Sequence, residues 1–232
     1  EVRLTGLPRF DKLFEPTEQE KILLVMPTWR ADLVGKWDGK GQRRDFNMNF
    51  YSSPYVKTWK DVFDDVRMDA LLDQYGYSVV FFSHPSFEDY LDDLPFPKYV
   101  RKLSKQHCSV MDMMRKSQIM ITDFSSVAFD MAYIGHSVVY YHSENEVVYM
   151  RRQNRKPGFF HYEKIGFGPV CQDKDALFEA LEGLLRTGCT MPPQYVERVN
   201  KTFAHHDRNA CQRVFEAITA EAHTNKEEEI DV

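Results

Sequence analysis

Two serines, a histidine and an arginine are the side chains of this chain best suited to work on a phosphate. Ser125 and Ser126 follow the apolar run 118–122 and the acidic Asp123. They precede a segment whose apolar residues (Val127, Phe129, Met131, Ala132, Ile134) recur at helical spacing up to Gly135. Two hydroxyls therefore fall where a strand ends and a helix begins. The first N–H groups of a helix lack partners within it and sit at the positive end of its dipole, so an anion fits there. Serine is also a preferred helix cap, and taken alone the segment favours that simpler role.

His84, followed by Pro85, comes just after the apolar run 77–82. A histidine so placed can donate to a phosphate oxygen or exchange a proton near neutral pH. Taken alone it reads more readily as structural, bonded to a backbone carbonyl. Thr28 and Arg30 follow the run 21–26; the guanidinium fork suits a phosphate or a surface ion pair. Asp130, one turn into the helix after Ser126, lies on a mixed face suited to bonding the neighbouring loop.

Each of these groups except Asp130 follows a predicted strand. Strands are expected at 21–26, 77–82, 98–103, 118–122, 137–141 and 170–171. Helices are expected at 59–75, 110–116, after Ser126, and at 175–186, 193–203 and 209–222. Residues 27–58 read as one long irregular loop. Such alternation predicts an α/β fold, a Rossmann-like domain with a mainly parallel sheet, whose ligands bind beyond the carboxyl ends of the strands. The expected division is an N-terminal linker at 1–20, the domain at 21–223, and a charged, frayed tail at 224–232.

Composition narrows the classes. At 43% hydrophobic residues the 232-residue chain is globular, with room for one large domain or two small ones. A net charge of −5 argues against nucleic acid as a partner while leaving room for a local basic groove. No run is long enough for a transmembrane segment. Cys108, Cys171, Cys189 and Cys211 are scattered without a CxxC pair, so neither zinc nor disulfides are expected. Each reads as a small buried or half-buried apolar residue, in a reduced, cytoplasmic setting. His205 and His206 before Asp207 are adjacent and point apart, which disfavours one shared metal. There is no GxGxxG, no P-loop, no GxSxG and no HExxH; no metal and no cofactor are expected.

The ordered blocks Gly6-Leu-Pro-Arg-Phe-Asp11, Met26-Pro-Thr-Trp-Arg30, His84-Pro85, Thr122-Asp-Phe-Ser-Ser-Val-Ala-Phe-Asp130, Gly168-Pro169 and His206-Asp-Arg-Asn-Ala-Cys-Gln-Arg213 resemble the CDP-glycerol glycerophosphotransferase family of teichoic-acid and capsule polymerases. Members of that family are similar to GT-B transferases, with two Rossmann-like halves around a cleft. The resemblance is to the C-terminal, nucleotide-binding half. It implies that Ser125 and Ser126 bind the pyrophosphate of CDP-glycerol, and that His84 is catalytic beside the transferred phosphate. It further implies that Thr28, Arg30 and Asp123 line the donor side and that Asp130 organises the loop. The acceptor, a polymer or glycolipid, would be held with an N-terminal half whose Trp-His-Gly-like block is not found in these residues. Peripheral attachment to the inner face of the cell membrane is implied by such acceptors. Phe124 replaces a family tyrosine, Arg208 replaces a family glycine, and residues 31–58 do not align. These departures leave open CDP-ribitol, a nucleotide sugar used by a GT-B glycosyltransferase, or a non-catalytic nucleotide-binding module.

Overall fold

The computed structural model describes residues 2–36, 45–144, 148–150 and 158–228, with 221–228 as backbone alone. Six strands form one sheet: β1 (Ile22–Val25), β2 (Ser78–Phe82), β3 (Val100–Leu103), β4 (Ile119–Thr122), β5 (Ser137–Tyr141) and β6 (Val170–Cys171). Their order is β3-β2-β1-β4-β5-β6 and every pairing is parallel. This is the doubly wound order of a Rossmann-like α/β domain, as expected. The winding reverses between β1 and β4, and the crevice above that pair is where such sheets take ligands.

The central strands are apolar without alternation because both faces of the sheet are covered. Leu23, Val25, Val79, Phe81, Ile119 and Ile121 feed one core. That core is closed by α1 (Pro54–Phe63), α2 (Val66–Tyr75) and α6 (Lys174–Arg186), helices named in chain order. Ile22, Leu24, Val80, Phe82 and Met120 feed the other core, under α3 (Val110–Lys116) and α4 (Val127–Tyr133). The remaining helices are the short α5 (Tyr162–Ile165), α7 (Pro193–Thr202) and α8 (Ala210–Glu228). No helix among the described residues is long and apolar enough to cross a membrane.

Several segments differ from expectation. The single helix at 59–75 is two: Asp65 interrupts it and accepts from the Arg67 N–H at 3.2 Å, capping α2. Apolar spacing continues across that break, which hides it in the sequence. The first helix also begins earlier, at Pro54, with Ser53 as its cap, so the stretch 27–58 is not all irregular. The supposed linker 1–20 holds a 3-10 turn, Pro8–Phe14, that buries Phe10 and Leu13 in the second core. Asp11 in this turn accepts from the N–H groups of Ala210 (3.0 Å) and Cys211 (2.8 Å), capping α8. Helix α8 runs on to Glu228, through the start of the supposed frayed tail; 229–232 lie outside the described residues. Cys211 is exposed, while Cys171 and Cys189 are buried.

Gly168 has a packing role that only glycine can fill. A Cβ there would come within 1.7 Å of the Val138 carbonyl oxygen. Its close approach lets Pro169 accept from the Tyr140 N–H at 2.9 Å and brings β6 onto β5.

Candidate active site

Because β1 and β4 are neighbours, the loop after one meets the turn after the other. Asp123 joins them. Its Oδ1 accepts from Thr28 N–H (2.7 Å), Thr28 Oγ1 (2.6 Å) and Phe124 N–H (2.6 Å), and its Oδ2 accepts from Arg30 Nη2 (2.8 Å). Arg30 also donates through Nη1 to the Thr28 carbonyl at 2.8 Å. Both charges are buried, at 3% and 8% exposure, so neither stands without the other. Burial works against the Arg30 charge, but the adjacent Asp123 carboxylate outweighs it and holds the pKa above its ordinary value. The rings of Tyr149 (4.5 Å), Tyr55 (5.5 Å) and Phe124 (5.9 Å) surround the guanidinium. Thr28 and Arg30 were expected to line the phosphate or nucleotide side; in the structure both bond to Asp123, and Arg30 is also a wall of a cavity beside α1.

Ser125 and Ser126 follow in the same turn, half-buried and exposed respectively. Capping, the simpler role, is barely used. Ser126 makes no side-chain cap bond, and Ser125 Oγ accepts from Val127 N–H only at 3.4 Å. No hydrogen bond among the described residues uses the backbone N–H of either serine. Helix α4 has seven residues, so the turn offers local donors more than a long helix dipole. Behind it Phe124 is buried, stacked on His142 at 4.2 Å and Tyr149 at 4.1 Å. His142, at the end of β5, lies within hydrogen-bonding distance of the Asp123 carbonyl (3.2 Å).

His84 begins the 3-10 turn Pro85–Tyr90 after β2. Its Nδ1 accepts from Ser86 N–H at 3.1 Å, which puts the ring proton on Nε2. Burial, helped by Lys105, pulls the imidazole below its ordinary pKa, so at neutral pH it is an uncharged N–H donor. The ring stacks on Trp29 at 5.2 Å, and Trp29 belongs to the same loop as Thr28 and Arg30. Asp130 lies elsewhere. It is 7% exposed and takes both arms of Arg9, at 2.9 and 3.1 Å. The structure therefore has it anchoring the N-terminal turn.

His205 and His206 serve the same anchoring. Their Nε2 atoms meet the carbonyls of Leu4 (3.2 Å) and Tyr133, while Asp207 grips Arg213 with two 2.9 Å bonds. Among the described residues no cluster of three or more His, Cys, Asp or Glu could hold a metal ion.

A cavity of about 310 Å³ opens between α1 and the carboxyl ends of β4 and β5. Arg30, Tyr55, Thr58, Trp59, Asp123 and Phe124 are among its walls; Ser125, Ser126 and His84 are not. Nothing in the sequence marks it, because Tyr55 and Thr58 lie in the stretch expected as loop and Trp59 reads as core periodicity.

Fold and site together define a Rossmann-like domain with a donor-lined crevice at its switch point. The profile of the family described as CDP-Glycerol:Poly(glycerophosphate) glycerophosphotransferase matches residues 1–220, and the chain belongs to that family. It is 34% identical to the minor teichoic acid biosynthesis protein GgaB of Bacillus subtilis (strain 168), over 94% of this chain and 23% of that protein. It is 23% identical to a teichoic acid glycerol-phosphate transferase of Staphylococcus aureus (strain NCTC 8325 / PS 47), over 92% of this chain and 53% of the relative. The chain thus spans between a quarter and a half of these relatives. Its fold is similar to that of an H444N variant of the wall teichoic acid polymerase TagF, with TM-score 0.57 and 19% identity, over all of this chain and 53% of that one.

Proposed function

We propose that this chain is the donor-binding half of a CDP-glycerol-dependent polyol-phosphate transferase that extends a teichoic-acid-like or capsular polymer. The observation that carries this is the turn after β4. It presents two backbone N–H groups that no hydrogen bond uses and two serine hydroxyls barely spent on capping, in a chain of this family. Ser125 and Ser126 hold the pyrophosphate. His84 Nε2–H donates to an oxygen of the transferred phosphate. Asp123, Thr28 and Arg30 fix the two loops so that these donors stay aimed at one point, where preorganised donors contribute most.

In the reaction an acceptor hydroxyl attacks the β-phosphorus of the donor. The new P–O bond forms as the bond to CMP breaks, and the acceptor proton passes to a base on the other half of the cleft. Positioning and charge stabilisation dominate such transfers. The acceptor, a polymer or glycolipid, lies across the cleft from the donor, and the enzyme works at the inner face of the membrane.

Calorimetric titration with CDP-glycerol, CMP, UDP-sugars and ADP tests the donor class. The expected result is binding of CDP-glycerol and CMP, weakened in a Ser125→Ala/Ser126→Ala variant. Preference for uridine ligands, or no binding of any nucleotide at millimolar concentration, would overturn it.

A further inference from the structure

The serine turn is gripped from behind. A trans peptide is planar, and its C=O and N–H point in opposite directions. No peptide bond among the described residues is cis, so whatever holds the Phe124 carbonyl also aims the N–H of Ser125. Tyr162, in α5, holds it: its hydroxyl donates to the Phe124 carbonyl at 3.3 Å. The preceding peptide is fixed at both ends. His142, at the end of β5, donates from Nε2 to the Asp123 carbonyl at 3.2 Å, and the Phe124 N–H is spent on Asp123 Oδ1 at 2.6 Å.

These two side chains also brace each other and the ring between the two peptides. His142 stacks on Phe124 at 4.2 Å, and Tyr162 meets Phe124 edge-on at 5.8 Å and His142 edge-on at 4.7 Å. Tyr140 of β5 closes on Tyr162 at 5.1 Å. The Phe124 ring is 7% exposed, so neither peptide can rotate without breaking up this packing. An anion is attracted by N–H groups and repelled by carbonyl oxygens. With the Asp123 and Phe124 carbonyls both bonded toward β5 and α5, the turn offers an incoming anion the N–H of Ser125 and not those oxygens. A turn that served only to start α4 would gain nothing from an N–H held so and left unbonded.

We infer that Tyr162 and His142 are positioning residues of the phosphate site, holding the peptides on either side of Phe124 so that the Ser125 N–H faces the pyrophosphate. Neither side chain touches the donor; each acts through the backbone. The inference rests on the reading of the serine turn as the pyrophosphate site.

The test follows the Ser125 amide by nitrogen–proton NMR in the 232-residue chain labelled at serine, assigned with a Ser125→Ala variant. The probes are inorganic pyrophosphate and CDP-glycerol. Each should move the amide downfield and saturably as it takes up a hydrogen bond. Tyr162→Phe deletes one hydroxyl and keeps the ring and its packing; His142→Leu deletes the ring donor. Each should weaken both probes about fivefold and shrink the Ser125 shift at saturation. His142→Gln, whose amide N–H replaces Nε2–H, should restore both. The inference is overturned by wild-type affinity in either deletion variant, by weaker binding with an unchanged Ser125 shift, or by His142→Gln binding as poorly as His142→Leu. Pyrophosphate binding without CDP-glycerol binding would remove the donor assignment and leave the positioning roles standing; no binding of either probe overturns both.

Discussion

Asp123 satisfies four donors from three residues, and each of those residues lies in a loop that frames the crevice. Its carboxylate is the counter-charge of a buried guanidinium, and breaking such a pair by removing one partner costs about 3 to 5 kcal/mol. Asp123→Asn should lower the urea midpoint accordingly; an unchanged midpoint would show that Arg30 has another sufficient partner. His84 poses a different case, since it is exposed enough to be replaced without collapse. In the full-length enzyme His84→Ala should cut turnover about tenfold or more while leaving donor affinity nearly intact, because a donor to the developing charge matters most in the transition state. Parallel loss of affinity and turnover would reduce His84 to a binding residue.

At the scale of elements, the interruption between α1 and α2 is held by one side chain. Asp65 caps α2 and meets Arg67 at 2.9 Å and Lys174 of α6 at 3.1 Å. Asp65→Ala should cost about 1 kcal/mol, read as a lower denaturation midpoint. A loss far above that would mean that the tie to α6 outweighs the cap. This break was illegible in the sequence for a physical reason: Val62, Phe63, Leu71 and Leu72 face one core whether or not the backbone is continuous. The strands were legible because a doubly covered parallel sheet demands unbroken apolar runs, and Pro27, Gly76 and Gly135 punctuate them. The placement of Ser125, Ser126 and His84 just past strands was legible too. Commitment of Arg30 to Asp123 was not, since it depends on β1 and β4 being neighbours. Nor was the cavity, whose walls come from segments far apart in the chain.

For the whole molecule, three histidines set the response to acid. His84, His136 and His142 all have pKa values lowered, chiefly by burial. Unfolding lets each take up a proton at its ordinary pKa near 6.5. The unfolded chain therefore binds more protons below that value, so stability is full above it and is lost as the pH falls through the window down to the folded values. Denaturation midpoints should drop between pH 7 and pH 5, and a flat profile would mean that these rings open to solvent in the native state. The two chain ends are also tied into this body, through Arg9 to Asp130 and Asp11 to the start of α8.

The position of β1 has a consequence for how the polypeptide acquires its shape. Leu23 pairs with Val79 on one side and with Ile119 on the other. A strand made early is thus completed by one made much later, and such non-local parallel pairing folds slowly. Until Ile119 leaves the ribosome, β1 has a bare, wholly apolar edge. A chain halted between β2 and β4 is then a sticky intermediate, and synthesis of this domain depends on how quickly that stretch is translated or how well a chaperone shields it.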